Sequence, residues 1–70
     1  MPQAWEDDWR TLLRWRDQAE AHARGIQSEI TATLRRREPP PMHLLRAADL
    51  AEGELTQAKA RLKDFLRQLG

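Results

Sequence analysis

Cysteine is absent from this chain, and so are tyrosine, valine and asparagine. Without cysteine, neither a disulfide framework nor a thiolate metal site can reinforce the fold. The residues that favour strands are scarce, whereas Ala, Leu, Arg, Glu and Gln, which favour helices, dominate the composition. The composition therefore predicts an all-α protein.

Long apolar runs are also missing. No stretch approaches the roughly 20 apolar residues of a membrane span, and the segment from Met1 to Asp8 lacks the basic start and apolar run of a signal peptide. We therefore expect a cytoplasmic protein that does not contact a membrane. Because 70 residues support only one small core, we also expect a single domain that self-associates or binds a protein partner.

The chain has no excess of charge of one sign. Asp, Glu, Lys and Arg make up 33% of the residues, yet the formal net charge is +1. Nucleic-acid-binding domains usually carry a clear basic excess or stripe, so this balance disfavours a nucleic-acid partner. The local exception is Arg35-Arg36-Arg37.

Three consecutive prolines, Pro39 to Pro41, lie just past the middle of the chain. They have no amide hydrogen and force the preceding residue out of the helical region, so one helix cannot run through them. The sequence predicts an antiparallel two-helix hairpin over residues 1–70. Helix 1 is expected at about 3–37, the turn at 38–42 and helix 2 at about 42–69.

Both halves carry a seam whose spacing alternates between three and four residues, as in a coiled coil. The first seam is Trp5, Trp9, Leu12, Arg16, Ala19, Ala23, Ile26, Ile30 and Thr33, and the second is Leu44, Ala48, Ala51, Leu55, Ala58, Leu62, Phe65 and Leu69. Centring the fold on the prolines places Leu12 opposite Leu69 and Arg16 opposite Phe65. It also predicts flanking pairs, namely Leu13 with Leu66, Glu20 with Lys59, Gln27 with Glu52 and Leu34 with Leu45.

In this register, Trp5 and Trp9 extend beyond the end of helix 2. One interpretation is that the indoles fold over Leu69 and Phe65 as an intramolecular cap. The other is that they form a partner interface, because aromatic anchors contribute strongly to binding. The predicted interface is Trp5, Trp9, Leu13, Trp15 and Leu66.

The turn carries a second candidate surface. It consists of Arg35, Arg36 and Arg37, with His43 and Arg46 nearby. One interpretation is that these side chains interact favourably with the carboxyl end of helix 1. The other is that they contact an anion or nucleic acid. No aromatic residue lies near this tip to stack on a base, which disfavours recognition of single-stranded RNA.

Catalytic chemistry has no recognisable signature. His22 and His43 are isolated, Ser28 has no nearby sequence partner and no glycine-rich phosphate loop occurs. We expect no enzymatic activity, no catalytic or metal site, no cofactor and no small-molecule substrate.

The stretch from about Arg24 to Leu69 resembles the small helical-hairpin co-chaperones of the bacterial type III secretion needle protein. The resemblance is carried by Leu34-Arg35-Arg36-Arg37-Glu38-Pro39 and by the Leu- and Ala-rich helix from Met42 to Leu69. The resemblance is one of chain length and of sequence pattern. It implies a hairpin that supports a larger chaperone, which in turn holds a secreted subunit. The hairpin is also similar to the plasmid copy-control Rop proteins, whose hairpins dimerise into a four-helix bundle that binds RNA.

The sequence therefore favours a non-enzymatic protein-interaction module. A helical hairpin with this composition is expected to complete a helical bundle by dimerisation or with a larger partner, in the manner of a secretion co-chaperone. The alternative is a Rop-like nucleic-acid-binding hairpin that acts through Arg35 to Arg37.

Overall fold

A computed structural model describes residues 4–70 of the chain as two helices packed against each other. Helix α1 spans Ala4–Arg35 and helix α2 spans Met42–Leu69. They form an elongated hairpin of 54 × 19 × 16 Å. The predicted all-α hairpin is confirmed, and the expected start of helix 1 at residue 3 lies outside the described residues.

The interface between the helices follows the coiled-coil seam. Its buried residues recur every seven positions, at Ala19, Ile26 and Thr33 in α1 and at Leu44, Ala51 and Ala58 in α2, with Leu62 also buried. Ala51 and Ala58 are the most deeply buried of this set. Alanine at these positions lets the two backbones approach closely, so the core of the hairpin is thin.

Helix α1 ends at Arg35, two residues before the expected end at 37. Arg37 has φ 61, in the left-handed region. Its N–H donates to the carbonyl of Leu34 at 2.9 Å, and the N–H of Glu38 donates to the carbonyl of Thr33 at 3.2 Å. This pair of hydrogen bonds is the Schellman motif, which usually has glycine at the left-handed position. Because arginine occupies that position here, the helix end carried no sequence signal.

Helix α2 begins directly after the prolines. Pro41 is the N-cap residue, with φ −66 and ψ 150. Its carbonyl accepts hydrogen bonds from the N–H groups of Leu44 and Leu45, at 3.0 and 3.2 Å. The prolines thus form the entry to α2, and the connection as a whole runs from residue 36 to residue 41.

The earlier end of α1 changes how the helices align. The connection is centred between Glu38 and Pro39, before the proline run on which the expected register was centred. Leu12 and Phe65 accordingly line one cleft at the open end of the hairpin. The expected register, with Leu12 opposite Leu69 and Arg16 opposite Phe65, is wrong by about one helical turn.

Candidate protein-interaction surface

Trp9 contacts α2 at the open end of the hairpin. Its indole stacks on the ring of Phe65, with 5.8 Å between ring centroids and an interplanar angle of 27°. This separation lies within the range favoured for aromatic pairs. The prediction that Trp9 extends beyond helix 2 is therefore wrong, and its indole makes the intramolecular contact with Phe65 that was the alternative interpretation.

Trp5 lies on the first turn of α1, near the open end of the hairpin. Helix α1 has 32 residues and α2 has 28, so α1 is longer by about one turn, or roughly 6 Å at 1.5 Å per residue. Trp5 is on this first turn and is 40% exposed. The structure thus places Trp5 at the accessible end of the predicted interface.

Leu13 and Leu66 lie on one flank of the hairpin, and Trp15 lies on the other. Each leucine directly follows a seam residue, Leu12 or Phe65, which places both on the same flank of an antiparallel pair. Trp15 follows Leu13 by two residues, about 200° around the helix, and lines a cleft with His22 and Glu54. The predicted interface is therefore distributed over two flanks and does not form one continuous patch.

We call the flank of Leu13 the leucine flank and define it by Leu13, Leu34, Leu45 and Leu66. Leu34 is 56% exposed, Leu45 is 40% exposed and Leu66 is 53% exposed, whereas Leu13 is half-buried. Met42, next to the prolines, is 64% exposed. The predicted interface omitted Leu34, Leu45 and Met42, although the expected pairing of Leu34 with Leu45 had already placed two of them on this flank.

The middle of the leucine flank is polar, but its charges do not pair as expected. The carboxylate of Glu20 lies 3.8 Å from the guanidinium of Arg24, one turn further along α1. Within residues 4–70, Lys59 forms no ion pair. The predicted ion pair between Glu20 and Lys59 is therefore wrong, and no carboxylate of the two helices neutralises Lys59.

Arg16 occupies the seam without facing Phe65. Its guanidinium donates two hydrogen bonds to one carboxylate oxygen of Asp17, at 3.1 and 3.3 Å. The side chain is 37% exposed, so it is accessible to solvent although it lies at a seam position.

The arginines at the tip do not converge on one site. Arg35 lines a cleft along α1 with Arg24 and Gln27. Arg36 lines a different cleft together with Glu29 and Glu38, and its guanidinium is 3.8 Å from the carboxylate of Glu38. These carboxylates reduce the positive potential that an anion or nucleic acid would meet there.

Neither helix of the described chain contains a stretch long and apolar enough to cross a membrane. Residues 4–70 also contain no group of three or more His, Asp or Glu side chains that could hold a metal ion. No protein-family model matches the chain, and no curated protein or solved structure is significantly similar to it.

Proposed function

We propose that this hairpin is a non-enzymatic protein-interaction module that acts in the cytoplasm. Another protein chain covers its leucine flank and its open end and completes a helical bundle. The exposed leucines and Trp5 supply the apolar contacts, and the charged residues between the leucines select the partner.

The size of the surface supports this proposal. The chain of 8.2 kDa has an accessible surface of 5805 Å², whereas a compact monomer of that mass exposes about 4,500 Å². Its radius of gyration is 16.1 Å, against about 11 Å for a compact domain of this length. The excess of about 1,300 Å² is larger than the roughly 800 Å² that each partner of a standard protein–protein interface buries. A thin alanine-rich core therefore coincides with an unusually large exposed surface.

Affinity capture with matched variants tests the proposal. The tagged hairpin is immobilised, and the proteins retained from an extract of its source organism, including untagged copies of itself, are identified and quantified. We expect the wild-type hairpin to retain one dominant protein, and the variant with Leu45→Gln and Leu66→Gln to retain less than about a tenth as much, since fully burying a leucine side chain contributes about 1.5–3 kcal/mol.

The control variant carries Ser28→Ala and Gln57→Ala, two exposed positions outside the leucine flank and away from the open end. It should bind as the wild type does, and circular dichroism should show that both variants remain helical. Equal retention by the leucine variant, or no protein retained by the wild type, would contradict the proposal.

The secretion co-chaperone role is the most specific form of this function. It requires the captured protein to be a larger chaperone of an exported subunit. Capture of RNA in place of protein, with loss of binding on substitution of Arg35 to Arg37, would support the Rop-like alternative.

A further inference from the structure

Helix α2 carries a second seam on its outer side, next to the one that packs on α1. Its members are Met42, Leu45, Asp49, Glu52, Thr56, Lys59, Lys63 and Leu66, and all of them are exposed. The spacing again alternates between three and four residues, which keeps these side chains on one stripe along the helix. We call this set the outer seam of α2.

Along the outer seam, the sign of the side-chain charge changes at the middle. Apolar residues occupy both ends, acidic residues lie on the loop side of Thr56 and basic residues lie on the other side. Within residues 4–70, none of Asp49, Glu52, Lys59 and Lys63 forms an ion pair. Four seam charges are therefore available to a partner.

Inside one chain, this charge order is unfavourable. Asp49 and Glu52 are three residues apart, and Lys59 and Lys63 are four residues apart, so each like-charged pair repels on the helix surface. Glu52 and Lys59 are seven residues apart, about 10.5 Å along the axis, which is too far for an ion pair. The pattern becomes favourable when an oppositely directed copy of the same stripe lies alongside.

We propose that the α2 part of the leucine flank, Leu45 and Leu66, is covered by a second copy of this chain, bound through the outer seam of α2 in antiparallel orientation about a two-fold axis near Thr56. This assignment rests on the proposed interaction function. In that alignment Leu45 lies opposite Leu66 of the second copy, Asp49 opposite Lys63, and Glu52 opposite Lys59. The two-fold axis makes each of these contacts occur twice.

The parallel arrangement is disfavoured by the same residues. It would place Asp49 beside Asp49 and Lys59 beside Lys59 of the second copy, and like charges directly opposite one another are destabilising. The antiparallel dimer instead covers four exposed leucine or methionine positions at each end, since Met42 then lies near Leu69 of the second copy. Leu69 is 49% exposed in the single hairpin. The product is a four-helix assembly in which the two copies of α2 are in contact.

Charge reversal tests this arrangement. Glu52→Lys and Lys59→Glu, made separately, each replace two attractive contacts of the dimer by two repulsive ones. We expect each variant to raise the dimer dissociation constant on the order of tenfold, measured by sedimentation equilibrium. An equimolar mixture of the two variants should recover wild-type affinity as a heterodimer, because one chain then carries lysine at both positions and the other carries glutamate at both.

Charge-matched controls lie two residues away on the opposite flank. Glu54→Lys and Arg61→Glu introduce the same charge changes outside the outer seam and should leave the dissociation constant within about twofold. Orientation is checked with Leu45→Cys and Leu66→Cys, since the native chain has no cysteine. Oxidising an equimolar mixture of these two single variants should give mainly the disulfide that joins one variant to the other. Little disulfide should form between two copies of the same variant.

Three results would overturn this inference: a wild-type chain that is monomeric at all soluble concentrations, a dimer unaffected by both reversals, or symmetric disulfides in preference to the mixed one. If the wild type is monomeric yet the leucine variant loses a different captured protein, the second-copy assignment fails and the interaction function stands. If neither self-association nor capture occurs, both fail.

Discussion

Trp9 and Phe65 join the two helices near their free ends. Replacing Trp9 by alanine removes the stacked pair at 5.8 Å and exposes the Phe65 ring. Since both residues are half-buried, we expect Trp9→Ala to lower the free energy of unfolding by about 1–2 kcal/mol. Urea denaturation followed by circular dichroism measures this loss.

Trp9→Phe is the matched substitution, because it keeps an aromatic ring over Phe65 with a smaller buried area. Its loss should be less than about half that of the alanine variant. If Trp9→Ala leaves unfolding unchanged but weakens association, the indole acts at an interface with another chain and the intramolecular contact is unimportant for stability.

At the scale of the elements, the end of α1 is the feature that the sequence did not predict. Arg37 adopts φ 61, a conformation that costs a non-glycine residue roughly 1 kcal/mol. We expect Arg37→Gly to raise the free energy of unfolding by about 0.5–1 kcal/mol, because glycine accepts this backbone without strain. Thermal and urea denaturation both report the change.

Arg37→Ala removes the same charge and keeps the strained backbone, so it should not stabilise the hairpin. Equal stabilisation by alanine and glycine would mean that relief of charge crowding at the tip causes the effect. Destabilisation by glycine would contradict the role assigned to the left-handed position.

The two seams and the proline run were sufficient to predict the hairpin, because coiled-coil spacing and the missing proline amides act locally along the chain. The alignment of the helices was not predictable in the same way. It depends on where the connection between the helices is centred, and this centre follows from the end of α1 at the left-handed Arg37. Glycine or asparagine at this position would have indicated the helix end in the sequence. The misplaced centre left Trp9 without its partner Phe65 and set Arg16 opposite that ring. The leucine flank was predictable from the spacing, since the expected register already placed Leu34 opposite Leu45.

At the scale of the whole molecule, the hairpin combines a thin core with a surface of 5805 Å². Two helices can bury only one seam between them, and alanine fills much of that seam in this chain. The remaining apolar residues cannot be covered from within, because they lie on the outside of α2, along the leucine flank and on the first turn of α1. Stability and association are therefore expected to be coupled in this protein.

This coupling makes the stability depend on protein concentration. When unfolding and dissociation occur together, the melting temperature of a dimer rises with concentration, whereas that of a monomer does not. For a protein of this size we expect a rise of roughly 5 °C per tenfold increase in concentration. Scanning calorimetry over a hundredfold range, or circular dichroism in cells of different path length, measures the slope.

The variant with Leu45→Gln and Leu66→Gln provides the reference for this experiment, since it retains the seam between α1 and α2 but loses the apolar ends of the outer seam. Its melting temperature should be lower than that of the wild type and independent of concentration. A wild-type melting temperature that is also independent of concentration, with both values equal, would show that the thin alanine-rich seam stabilises the hairpin without a second copy.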